Sequence, residues 1–208
     1  MQANNRVLKQ RDGTAPGVID IELLAIDLNS CTRCVGTLEH IEEAIAMVRP
    51  VLEAMEVRVN VRKVVVESEE QALRFEFALS PTVRINGRDI AFETIESECD
   101  SCTDLCGCDE GTNCRVWTYR GREYTEAPVG LVVEAILNAT FDGDRGPASE
   151  ASGYAGVPEN LKRFFNGKSR MQTVENACCT PAARESCCEP SEKSSCCETS
   201  ETETCGCR

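Results

Sequence analysis

Apolar and polar positions divide this chain near residue 140. Before that point, apolar residues recur with regular periods. Val18–Leu28 (VIDIELLAIDL) predicts a buried strand. Leu38, Ile41, Ile45, Val48, Leu52 and Met55 recur at three- and four-residue steps and predict a helix, which Pro50 should kink or split. Val57–Val66 (VRVNVRKVVV) alternates and predicts a second strand. Ser68 is placed to cap a helix over Glu69–Leu79, with Gln71 at the capping-box position. Ser80-Pro81 ends that helix. Thr82–Asn86 and Arg88–Glu93 read as strands joined by the turn pair Asn86-Gly87. Arg115–Tyr119 and Glu123–Glu126 form a small hairpin around Arg120-Gly121. Pro128 suits the first turn of a helix reaching Thr140, with Val129, Val132, Val133, Ile136 and Leu137 inward. Beyond Phe141 only Leu161–Phe165 (LKRFF) has the apolar density to dock.

A Cys-x-x-Cys stands between the first strand and first helix, so the order is β-CxxC-α-β-α-β-β-α. That is the thioredoxin arrangement. The expected architecture is α/β and thioredoxin-like, over residues 17–141. A Cys-rich insert and hairpin at 97–127 precede the last helix. Residues 1–16 form a flexible leader, 142–170 a linker with a short helix, and 171–208 a disordered tail of cysteine pairs.

Charge narrows the function. The chain has 208 residues and a formal net charge of −13, from 35 acids against 22 bases. Such a surface repels phosphate backbones and anionic lipid, so neither nucleic acid nor a membrane is an expected partner. The N-terminus lacks the apolar segment of a signal peptide, and no apolar run is long enough to span a bilayer. A cytoplasmic protein is expected. There, 15 cysteines point to reduced thiols, metals or redox work rather than a disulfide framework.

The cysteines fall into three groups. Cys31-Thr32-Arg33-Cys34 lies at a strand-to-helix junction. Free amides at a helix N-terminus stabilise an anion, and Arg33 adds positive charge, so Cys31 is the expected thiolate. With Cys34 in reach, the pair suits disulfide exchange or an ion clamp. Cys99, Cys102, Cys106, Cys108 and Cys114 offer a tetrathiolate Zn(II) site with one thiol to spare, or paired disulfides. In the tail, Cys178-Cys179, Cys187-Cys188, Cys196-Cys197 and Cys205-Gly206-Cys207 recur every nine residues. Adjacent cysteines rarely bond to each other, because their Cα atoms lie about 3.8 Å apart while disulfides want roughly 4.4–6.8 Å. Two neighbouring thiolates can instead grip one soft ion, Cu(I), Zn(II), Hg(II), Cd(II) or As(III); the alternatives are a Cys-rich end without a ligand, or disulfides between pairs. His40, the one histidine, has no assigned role, and Trp117 and Tyr119 are read as packing residues. No motif for an organic cofactor is present.

The stretches IDLNSCTRCVGT, FALSPTVRINGRDIAFE and CRVWTYRGREYTEAPVGLVVEAIL resemble a bacterial and archaeal thioredoxin-like family of uncharacterised function. The resemblance covers roughly Ile19–Phe141. Members are often encoded near arsenic- or mercury-resistance genes. The resemblance implies a cis Ser80–Pro81 bond facing Cys31 and Cys34, with Pro81 part of the reactive site. Two departures set the chain apart from ordinary thioredoxin. Ser30 stands where Trp precedes the first cysteine, and Thr32-Arg33 replace Gly-Pro.

The leading expectation is a thioredoxin-fold protein that binds a soft metal or metalloid ion, in resistance or homeostasis. Cys31 and Cys34 would be the transfer or redox pair, and the tail pairs the capture sites. The alternative is a thiol-disulfide oxidoreductase whose tail shuttles reducing equivalents to Cys31 and Cys34. A thiol reductant or a metal-handling protein would then be the partner. A third class is a zinc-stabilised interaction module built on Cys99–Cys114.

Overall fold

The computed structural model describes residues 17–91, 93–141 and 154–175. It is a mixed α/β structure. The leader and all eight tail cysteines lie outside the described residues.

The first sheet has the order β2-β1-β3-β4: β1 Val18–Ala25, β2 Arg58–Val65, β3 Thr82–Ile85 and β4 Arg88–Asp89. β1 and β2 are parallel, while β3 runs antiparallel to β1 and to β4. Parallel neighbours need a crossover, and helix α1 (Thr32–Ala54) supplies it. Asn86 and Gly87 both take positive φ, 50° and 79°, in the tight turn expected of that pair.

Alternation along β1 decides where chemistry can gather. Successive strand residues face opposite sides of the sheet. Ile19, Ile21 and Leu23 join one buried cluster, with Ile41, Val48 and Leu52 of α1 and Leu131, Val132 and Ile136 of helix α4 (Val129–Phe141). On the other face Asp20 and Glu22 are polar, but Leu24 and Ile26 are apolar. That face can therefore be covered only at the C-terminal end of β1. The second buried cluster sits there, and it contains Cys31, Cys34, Cys99, Cys102, Cys106 and Cys114.

Several elements differ from the sequence pattern. Pro50 does not split α1, which is one 23-residue helix. The proline lies near the end, where it forgoes a single bond, to the Ala46 carbonyl. Helix α2 is short, Glu69–Arg74. Ser68 caps it as expected, accepting from the Gln71 amide at 3.2 Å, but the Gln71 side chain accepts from Glu67 rather than Ser68. The helix ends early because Glu76 adopts φ 48° and Phe77 turns into the core. Arg84 then satisfies the carbonyls of Phe75 and Glu76, at 2.8 and 3.0 Å.

A second sheet, β5-β6-β7, comprises Ile95–Glu98, Asn113–Tyr119 and Arg122–Tyr124. Helix α3 (Asp100–Cys106) lies between β5 and β6. Buried Arg115 joins the two sheets: its amide donates to the Ser80 carbonyl at 2.7 Å, and its guanidinium pairs with Asp89 at 2.7 Å. Helix α5 (Glu159–Glu175) covers the second cluster with Leu161, Phe164 and Phe165, and is much longer than the LKRFF segment alone. Asn160 holds it to β6 through both the amide and the carbonyl of Asn113. Gly167 permits the close approach to α3, since a Cβ there would lie 2.5 Å from the Cys106 carbonyl oxygen. Among the described residues no helix is long and apolar enough to cross a membrane.

Candidate metal centre

Four cysteines from three separate places in the chain converge. Cys31 is the N-cap residue of α1. Cys99 is the N-cap residue of α3, and Cys102 lies in its first turn. Cys114 is on β6. Their sulfurs all lie within 4.8 Å of one another. Cys102 sits centrally, 3.3 Å from the Cys31 sulfur and 3.4 Å from that of Cys114. None of the four residues is more than 3% exposed.

Backbone contacts hold the cysteines in place. The Asp27 carboxylate accepts from the amides of Asn29, Ser30 and Cys31, at 3.0, 2.5 and 2.8 Å. That ends β1 and fixes the approach to α1 in an Asx-type turn. Arg33 reaches across to the insert. It donates to the Ser97 carbonyl and hydroxyl at 3.3 and 3.0 Å, to the Cys114 carbonyl at 3.5 Å, and to the Glu98 carbonyl. One guanidinium thus ties the start of α1 to the strands flanking Cys99 and Cys114. Replacing Arg33 with Ala should weaken ion binding by roughly 10–100-fold, the range for groups that orient ligands. Lys should not restore it, since a point charge lacks the planar fork. Competition against a chromophoric chelator measures both.

The donor set fits one thiophilic ion. Zn–S bonds of about 2.3 Å place tetrahedral ligands about 3.8 Å apart; two sulfur pairs here lie at 3.3 and 3.4 Å and all lie within 4.8 Å. An iron–sulfur cluster puts several irons and sulfides between its ligands and needs more widely spaced thiolates. Full burial matches the closed four-thiolate kind of site, with no position left for a substrate.

The thiols also perturb one another. Hydrogen bonds from Cys102, then Cys114, Cys34 and Cys99, hold Cys31 far below the usual thiol range. Bonds with Cys102 and Cys114 lower Cys99 to about 7. Cys102 is pushed up by its bonds to Cys114, Cys31 and Cys99, and by burial. Cys102 pulls Cys114 down, but Cys31, Cys99 and burial outweigh it and raise that thiol. Cys34 is raised by Cys31 and by burial. The shifts run in opposite directions within one group, and a cation bound there would displace thiol protons.

The structure sorts the sequence-derived candidates. The insert supplies three of the four grouped sulfurs, and Cys31 of the CxxC pair supplies the fourth. Cys106 and Cys108 stand apart, bonded to each other beside α5. Cys34 is buried outside the four, with its sulfur 3.4 Å from the Ser80 hydroxyl. The Ser80–Pro81 bond is cis. Asp27 carries site contacts that no motif marked, while Ser80, of the expected Ser80-Pro81 pair, accepts from the Ile26 amide at 3.1 Å. The Asp-x-Asn-Ser run ahead of Cys31 was the available signal for Asp27. Cys178, Cys179, Cys187, Cys188, Cys196, Cys197, Cys205 and Cys207 lie outside the described residues.

Residues 18–136 match the family described as Domain of unknown function (DUF2703). The chain belongs to DUF2703. No curated protein and no solved structure gives a significant match. The DUF2703 segment runs from β1 into α4 and contains all four grouped cysteines together with Cys34 and Ser80. Helix α5 and the paired-cysteine tail lie beyond it.

Proposed function

We propose that this DUF2703 chain is a thioredoxin-like thiol protein of the cytoplasm that binds soft metal or metalloid ions, in resistance or homeostasis. One ion is held by Cys31, Cys99, Cys102 and Cys114. The observation that carries this reading is the convergence of four buried sulfurs within 4.8 Å. The thioredoxin-like assignment is supported by the β-CxxC-α-β-α-β-β-α order and by the mixed sheet β2-β1-β3-β4. The residues 97–127 then form an insert that closes over the CxxC pair. The tail pairs act as collecting sites that hand ions to the core by thiolate exchange. Linkage to the core raises their effective concentration.

Burial favours binding over general disulfide reduction. A general reductase must present its nucleophile to folded protein substrates, whereas Cys31 is fully buried beneath the insert and is reached by a small disulfide only on local opening. Native mass spectrometry of the reduced chain with Zn(II), As(III) or Hg(II) tests the reading, beside a variant lacking residues 176–208. The truncated chain should retain one ion, and the full chain should take up more. A truncated chain that holds none, while Cys31 turns over a disulfide substrate with a supplied reductant, would favour the oxidoreductase instead.

A further inference from the structure

Five buried thiols surround a site with four ligand positions. Cys34 is the fifth. A buried cysteine often serves as a small packing residue, but this one has a hydroxyl beside its sulfur and a second thiol one helical turn away. Its sulfur is 3.4 Å from the Ser80 hydroxyl, and it is buried in the same cluster as Cys31. Cys34 lies one turn after Cys31, in the first turn of α1.

Cys31 thus has two kinds of sulfur neighbour. Cys99, Cys102 and Cys114 share the ion with it, and all three sit on the β5-α3-β6 segment. A disulfide from Cys31 to any of them removes two ligands. A disulfide to Cys34 removes one and leaves the other three intact. From this arrangement we infer that Cys34 makes ion binding redox-responsive: oxidation of Cys31 with Cys34 converts a closed four-thiolate site into an open three-thiolate one and releases the ion. This regulation rests on the ion-binding reading of the same site.

The step balances with a low-molecular-weight disulfide as oxidant. When the β5-α3-β6 segment opens locally, Cys31 leaves the ion as a thiolate and attacks one sulfur of the disulfide. A mixed disulfide forms and one thiolate departs. Cys34 then gives up its proton and attacks the Cys31 sulfur of that mixed disulfide, expelling the second thiol. The protein pair loses two electrons and the oxidant gains two. The ion keeps its charge throughout, and its vacant position can accept a thiol from another carrier.

The test uses the full reduced chain loaded with one equivalent of ¹¹³Cd(II). The NMR resonance of cadmium bound by four thiolates is followed after glutathione disulfide is added. The resonance should disappear, and peptide mapping should find Cys31 linked to Cys34 in proportion to the loss. Cys34→Ser should keep the resonance at least tenfold longer. Equal loss in Cys34→Ser, or Cys31 linked to Cys102 instead, would overturn the inference. If Cys34→Ser fails to bind cadmium, the wild-type linkage map decides alone. A wild-type chain with no four-thiolate resonance before oxidation refutes the binding reading itself, and the inference with it. Oxidation elsewhere in the chain is separable, because it leaves that resonance in place.

Discussion

Cys102→Ser should weaken binding of one Zn(II) or Cd(II) by at least about 100-fold, beyond the upper end of what losing an orienting group does. Cys102 is the central member of the group, 3.3 and 3.4 Å from two other sulfurs. Serine removes a soft anionic donor and leaves a hydroxyl in a buried place, so the ion keeps three thiolates and an open position. The comparison is with Cys34→Ser and Cys106→Ser. Both residues are buried in the same cluster, yet neither belongs to the four-sulfur group, so each should bind within a few-fold of wild type. Competition against a chromophoric chelator reads all three. Equal losses for the three variants would mean that burial of cysteine, rather than ligation, sets affinity.

The second large effect is on stability. Ionised thiols at about 4 Å repel by about 4 kcal/mol per pair at an effective dielectric constant of 20. Without an ion, protons must stand in for it. The β5-α3-β6 segment would then be held by Arg33, Arg115 and the covering helix α5. With an ion, four ligands from three parts of the chain are cross-linked. At a free ion concentration of about 1,000 times Kd, binding adds roughly 4 kcal/mol. At roughly 2–4 °C per kcal/mol, the melting temperature of the reduced chain should rise by about 8–16 °C. Scanning calorimetry with and without one equivalent of Zn(II) measures this, and a shift below about 2 °C would contradict a folded-state site of this kind. Hydrogen exchange should show the largest gain in protection at β5, α3 and β6.

Much of the scaffold was legible because its signals are local. The alternation and apolar run of β1, the stripe on α1, the Asn86-Gly87 turn and the Ser68 cap each lie within a few residues. The missing pieces depend on distant partners. Cys31 and Cys102 are 71 positions apart, and no periodicity links them. The sequence therefore read as a CxxC pair and a separate five-cysteine insert. In the fold, Cys31 completes the insert's set, and Cys106 and Cys108 drop out. Strand β5, Ile-Glu-Ser-Glu, carries too little apolar pattern to be read alone and forms by pairing with β6. Helix α5 extends well beyond LKRFF because Gly167 lets it lie against α3. Arg33, read from the sequence only as a nearby charge, also hydrogen-bonds to the segments that flank Cys99 and Cys114.

The most direct test of the central claim is zinc K-edge X-ray absorption on the full reduced chain with one equivalent of Zn(II), beside Cys31→Ser. A site made by Cys31, Cys99, Cys102 and Cys114 should give four sulfurs at about 2.3 Å in wild type. Cys31→Ser should give three sulfurs and one lighter atom. An unchanged four-sulfur shell in Cys31→Ser, or a mixed shell in wild type, would contradict it.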